Sequence, residues 1–229
     1  MSRNMWEFSD DFFGNLTFSA TQASNVGHGY SIADTSSSGS PTYAVVDGSE
    51  AGEIAIDMAS TNEPENVCLY QGDKLQFDID KIVEFGCRVK MNQAALDATS
   101  MFAIGLTGDR NDAIDSIAQA ALFRVVGADD TTALVVETDD GTTNNDDVAT
   151  GKTLINEYAD LLISFANGTG DVRFFVNGQP VATGTTFDMS GYTGSLQLFA
   201  QIQKTADTNV DGFTLDHWYV RGRRTLTTA

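Results

Sequence analysis

Glu137-Thr138-Asp139 sets two carboxylates two residues apart, the spacing that places side chains on one face of a strand. Carboxyl pairs of this kind perform glycoside hydrolysis, and a retaining enzyme holds them about 5 Å apart. A third acid three positions on would extend the set, but residue 142 is Thr. Just downstream, Asp139, Asp140, Asn144, Asn145, Asp146 and Asp147 are dense in the oxygen ligands that hold calcium in β-sandwich loops. Their order is not that of an EF-hand, which needs DxDxDG and a closing Glu. The same residues with Gly141 and Thr142 are ordinary turn formers. A plain hairpin loop over 139–151 is the preferred reading, with calcium kept as the alternative.

Other reactive groups are sparse. His28 lies in GHGY and His217 in the closing strand, where a solvated strand face is expected; no GxSxG is present. Cys68 (NVCLY) and Cys87 (FGCRV) sit in apolar runs. Two thiols make neither a disulfide framework nor a complete zinc site, so both are expected to be buried and free. Trp6 and Trp218 are read as packing near the chain ends. Tyr30, Tyr43, Tyr158 and Tyr192 are scattered in or near loops, and no aromatic platform for stacking sugar rings is readable. The expectation is a protein that is not an enzyme and uses no cofactor or metal.

Charge narrows the partners. The 229 residues carry a formal net charge of −19 and a pI near 4.1, which disfavours nucleic acid and anionic membrane surfaces. No apolar run reaches the length of a membrane span, and Met1-Ser2-Arg3 leads into the polar WEFSDD rather than a signal sequence. Folding in a cytosol is expected. Between Asn4 and Asp73 there are eleven acids and no Lys or Arg. Arg221, Arg223 and Arg224 then cluster at one end and Arg3 stands at the other. They read either as solvated strand ends or as a basic docking pole on an acidic body.

The elements that would position these groups are short strands. LLISF (161–165) and VRFFV (172–176) are separated by Asn167-Gly168-Thr169-Gly170, and Asn177-Gly178 follows at once. Asn-Gly is the strongest short hairpin signal, because both central residues take positive φ. Further strands are predicted at 42–46, 52–58, 67–70, 75–79, 83–91, 100–106, 120–126, 132–137, 195–204 and 214–221. SMFAIGL (100–106) is apolar on both faces and should be central. Residues 110–119 form the one short helix, capped by Asn111 or Asp112. Residues 1–41 are an opening strand and a long surface loop, with a brief strand near Tyr30–Ile32. About twelve to fourteen strands with turn signals every eight to twelve residues predict an all-β sandwich, here a single domain over 1–229.

Two stretches carry a family resemblance. VEFGCRVKM (83–91) resembles the F–E–x–R–x–K strand of concanavalin A-like jelly rolls of the laminin G and glucanase type, and DVRFFVNGQPV (171–181) resembles their D–x–V–x–F–Y–V–N–G–x–x–V hairpin. GFTLDHWYVRGRR resembles their final strand, which returns to pair near the N-terminus. The resemblance implies a two-sheet antiparallel jelly-roll sandwich. The glucanases of this group carry ExDxxE along one strand, and no ExDxxE occurs here.

GDKLQFDIDKIVEFGCRVKM, GLTGDRNDAIDSIAQAALFRV, VVETDDGTTNNDDVATG and QLFAQIQKTADTNVDGFTLD are similar to stretches of tailed-phage virion proteins. That similarity implies a structural protein that decorates or cements the head, made in the host bacterial cytoplasm and placed on the capsid surface. Its implied partners are the major capsid protein and further copies of itself, with a trimer on a local threefold. Arg3, Arg221, Arg223 and Arg224 are the candidate capsid contacts. A carbohydrate-binding virion module for host attachment is the alternative.

Overall fold

The computed structural model describes residues 4–13, 24–27, 29–49 and 52–224. Among them the chain forms seventeen strands. In order they are β1 (Met5–Asp10), β2 (Ser24–Gly27), β3 (Tyr30–Asp34), β4 (Thr42–Val45), β5 (Ile54–Asp57) and β6 (Glu65–Tyr70). Then come β7 (Phe77–Asp78), β8 (Ile82–Met91), β9 (Ser100–Thr107), β10 (Ala120–Val126), β11 (Ala133–Asp139) and β12 (Asn144–Thr153). The last are β13 (Ala159–Ser164), β14 (Arg173–Val176), β15 (Gln179–Val181), β16 (Ser195–Lys204) and β17 (Gly212–Arg223).

They build two antiparallel sheets. One has eight strands in the order β15-β14-β13-β8-β17-β5-β4, with β1 also on β17. The other has nine, in the order β12-β11-β10-β9-β16-β6-β3-β2, with β7 also on β16. β5 lines the first part of β17 and β1 its last part, where Met5 pairs Arg223. The closing strand thus returns to the N-terminal one, as the resemblance implied.

The alternation of each strand decides which side chains meet between the sheets. Phe102 of β9 packs on Phe213 of β17 with ring centroids 4.9 Å apart, and Phe123 of β10 meets Phe174 of β14 edge-on at 5.3 Å. Such pairs add about 0.5–1.5 kcal/mol each beyond the area they bury. β9 lies between β10 and β16 and is almost wholly buried, as its two apolar faces require. The turn at Asn177-Gly178 has positive φ at both residues, 49° and 73°, as a two-residue hairpin loop demands.

Three expectations are corrected. Residues 110–119 are not a helix; they hold one 3-10 turn, Ile114–Ser116. Asn111 Oδ1 accepts from the amide of Ala113, a local bond that competes with helix formation. Ile114 and Ile117 instead anchor the segment on the nine-stranded sheet. Residues 139–151 are not one loop either, since Asn144–Thr153 is an edge strand. Edge pairing uses only backbone groups on one side, so Asp and Asn side chains are tolerated there. Finally, the stretch up to Pro41 holds the brief strand expected near Tyr30–Ile32, but not as surface: it pairs with β2, and Tyr30 and Ile32 are fully buried. Residues 14–23 of that stretch lie outside the described residues.

Candidate functional site

The outer face of the nine-stranded sheet is where the sequence placed its acids. It is not open. Residues 108–119 run over it as a strap, and Ile114 and Ile117 join Ala33, Cys68, Leu122 and Phe199 in a second apolar cluster. Side chains of the sheet satisfy the strap's backbone. Gln201 Nε2 donates to the carbonyl of Asp112 at 3.0 Å, Asn66 Nδ2 donates to the same carbonyl, and Ile114 N–H donates to Gln203 Oε1 at 3.1 Å.

Arg124 on β10 locks the strap's far end. Its side chain is 2% exposed and its guanidinium binds Glu137 of β11 and Asp115 of the strap, with Asp147 of β12 at 3.3 Å. Met101 Sδ lies 3.1 Å from Nη2. Removing Arg124 would leave the buried Glu137 carboxylate without its cation. Burial pushes the Asp147 carboxyl above its ordinary value, and the nearby guanidinium opposes that shift only in part. Glu137 is therefore held by an arginine inside the structure.

The oxygen-rich stretch is similarly committed. Asp139 Oδ1 accepts from Gly141 N–H, while Asp140 accepts from Thr142, Thr143 and Gly191. Among the described residues no group of three or more His, Cys, Asp or Glu is arranged to hold a metal ion. Cys68 and Cys87 are free and buried, and burial raises both thiols well above their ordinary range.

The described candidate arginines do not share one state. Arg3 and His28 lie outside the described residues. Arg221 is clamped between Glu7 Oε2 at 2.5 Å and Glu84 Oε1 at 2.9 Å, and its guanidinium covers the Tyr219 ring at 4.7 Å. Arg223 is exposed at the end of β17. Exposed Arg224 follows, its N–H donating to Asn4 O and its Nε to Met5 O. The pairing of β1 with β17 thus brings the N-terminal strand beside this basic pole.

The outer face of the eight-stranded sheet holds residues that the linear reading passed over. His217 is on a half-exposed strand face, as expected, and lies parallel to Tyr219 at 6.2 Å. Tyr219 leans over Gly86, where a Cβ would come within 2.5 Å of its ring. Leu162 and Phe175 also face outward, because their neighbours Leu161, Ile163, Phe174 and Val176 fill the core. The readable signal was the adjacent apolar pairs in LLIS and RFFV, which break period-2 alternation.

No protein-family model matches the sequence, and no curated protein matches it. Solved structures do. A protein of unknown function from Shewanella oneidensis MR-1, SO2946, aligns with a TM-score of 0.62 at 12% identity over 99% of this chain and 90% of its own. The Emp47p carbohydrate recognition domain gives 0.60 at 11% identity, over 98% and 99%. Bacillus licheniformis β-glucanase gives 0.54 at 12% identity, over 96% and 98%. The fold is a concanavalin A-like jelly roll. At these identities the likeness concerns the fold alone.

Proposed function

We propose that this protein is a non-enzymatic binding component of a phage particle, mounted on the head exterior as a decoration protein that contacts the major capsid protein. The observation that carries the reading is the pole where β1 and β17 end together. There Arg223 and Arg224 project beyond the clamped Arg221 on a chain of net charge −19. On a partner surface that is itself acidic, a small basic site on an acidic body would dock in one orientation, because like charge repels the other faces. Stabilisation of the shell would come from buried interface area between neighbouring capsomers, in the manner of any ligand that binds only the assembled state. The lack of chemistry in this role fits the sealed strap face and the arginine-held Glu137. Cosedimentation of the purified protein with heads that lack it tests the docking: binding that weakens with salt and is lost in Arg223→Glu/Arg224→Glu supports the pole, and salt-insensitive binding by that variant refutes it.

A second reading is favoured by the likeness to the Emp47p carbohydrate recognition domain and by the outward-facing Phe175, Leu162, Tyr219 and His217. On this reading the protein is a glycan-binding virion module for host attachment. Specific binding on a glycan array supports it; no binding to any glycan ends it.

A further inference from the structure

The strand register of the eight-stranded sheet lines up outward-facing residues that the sequence keeps far apart. Pro180 of β15 pairs with Phe175 of β14, Phe175 with Leu162 of β13, Leu162 with Gly86 of β8, and Gly86 with Tyr219 of β17. The result is an apolar stripe that crosses five strands. Four interstrand steps make it about 19 Å long. It is continuous because Gly86 has no side chain and lets the Tyr219 ring lie over β8.

Polar rows flank the stripe on both sides. On one side Arg173, Ser164, Glu84 and Arg221 follow one another across β14, β13, β8 and β17, and Glu7 of β1 continues the row. On the other side run Asp160, Arg88 and His217. The cations in these rows are matched in place: Arg221 by Glu7 and Glu84, Arg88 by Asp216 at 2.7 Å, and Arg173 by Asp171 at 2.8 Å. Two cavities mark the ends. One of about 420 Å³ is lined in part by Phe175, Pro180, Arg173 and Thr185, and one of about 290 Å³ by Leu162, Gly86, His217 and Tyr219.

From this register we infer that the outer face of the eight-stranded sheet is a binding track for a neutral oligosaccharide, several sugar units long. The inference rests on the second, glycan-binding reading of function and assigns it a place and a ligand charge. Sugar rings have apolar faces and hydroxyl rims. A narrow apolar stripe between rows of fixed donors and acceptors matches that division, since each ring lies on the stripe while its hydroxyls meet the rows. Charge selects among occupants. Each arginine of the rows is matched by a carboxylate, and the carboxylates outnumber the arginines, so the rows leave no free cation to attract an acidic sugar. A second copy of this chain would bring another −19 against the first.

The test is an array of neutral and acidic oligosaccharides probed with the intact protein, followed by titration of the best neutral ligand. The variants are Phe175→Ala, and Leu162→Lys, which blocks the middle of the track from an outward-facing position. Melting temperatures are taken alongside, so that binding is compared only among folded proteins. Gly86→Ala is a third variant that displaces Tyr219 without removing an apolar side chain. Binding of a neutral oligosaccharide that falls at least about tenfold in these variants supports the track. Glycan binding that is unchanged in all three overturns the track and leaves the glycan reading standing. Binding restricted to acidic sugars overturns the neutral-ligand assignment. No glycan binding by the unaltered protein overturns both.

Discussion

The indole N–H of Trp218 donates to the hydroxyl of Tyr30 at 2.8 Å, joining β17 of one sheet to β3 of the other across 188 residues of sequence. Both side chains are fully buried and their rings are 5.4 Å apart, with Phe12 packed on both. Trp218→Phe leaves a buried hydroxyl without its donor, and Tyr30→Phe leaves a buried indole N–H without its acceptor. Each should cost about 1–3 kcal/mol from the orphaned group alone. The double variant removes both partners and should cost less than the sum. Chemical denaturation of the four proteins measures this; strictly additive losses would show that the bond contributes nothing.

The same pair predicts an alkaline limit to stability. Burial, reinforced by the charge of Asp10, raises the Tyr30 phenol well above its ordinary value of 10.0. Tyr158 is raised in the same direction by burial and by its bond to Glu53. A phenol raised on folding adds stability that is fully present below about pH 10 and is lost as pH rises towards the folded-state value. Unfolding above pH 10 should therefore coincide with tyrosinate absorbance, and Tyr30→Phe should flatten the dependence. Tyrosinate absorbance that completes while the fold persists would contradict this.

The buried guanidinium of Arg124 should be the most sensitive polar group of the strap face. Arg124→Ala leaves Glu137 charged and unpaired and should cost about 3–5 kcal/mol. Asp147 should behave oppositely. Its carboxyl is raised from 3.8 by burial, so its neutral form is the one the fold favours. That contribution is present at low pH and is lost as pH rises through the folded-state value. Asp147→Asn should raise the melting temperature at neutral pH, with the gain shrinking towards about pH 3. Asn also suits the positive φ of 45° at this position. Thermal scans across pH read both effects, and a neutral-pH loss in Asp147→Asn would show that the Arg124 pairing outweighs burial.

Strands with clean alternation and tight turns were legible in the chain. β8, β9, β10 and β16 appear within a residue or so of their predicted bounds, and the Asn177-Gly178 turn has the expected positive φ. The errors fall where local composition and tertiary context disagree. Asn144–Thr153 reads as loop because Val148 and Ala149 are its only apolar residues, too few to mark an edge strand whose stability comes from backbone pairing with β11. Residues 110–119 read as helix because Asn111 or Asp112 offers a cap, yet Ile114 and Ile117 pack on a sheet that the segment itself cannot reveal. Arg124, Glu137, Asp115 and Asp147 meet only through register and strap placement. The apolar track needs four separate strand pairings, so no linear motif announces it.

The proposed virion role is tested most directly by whether, and where, the protein sits on a phage particle. If the proposal holds, a cryo-EM reconstruction of purified particles of a phage that carries this sequence, with this jelly roll fitted to the density, decides it. The account predicts a copy of the fold at repeated positions over the outer shell, with the end of β17 and Arg223 and Arg224 turned towards the major capsid protein. Density for the fold confined to the tail, or its absence from the particle, would contradict it.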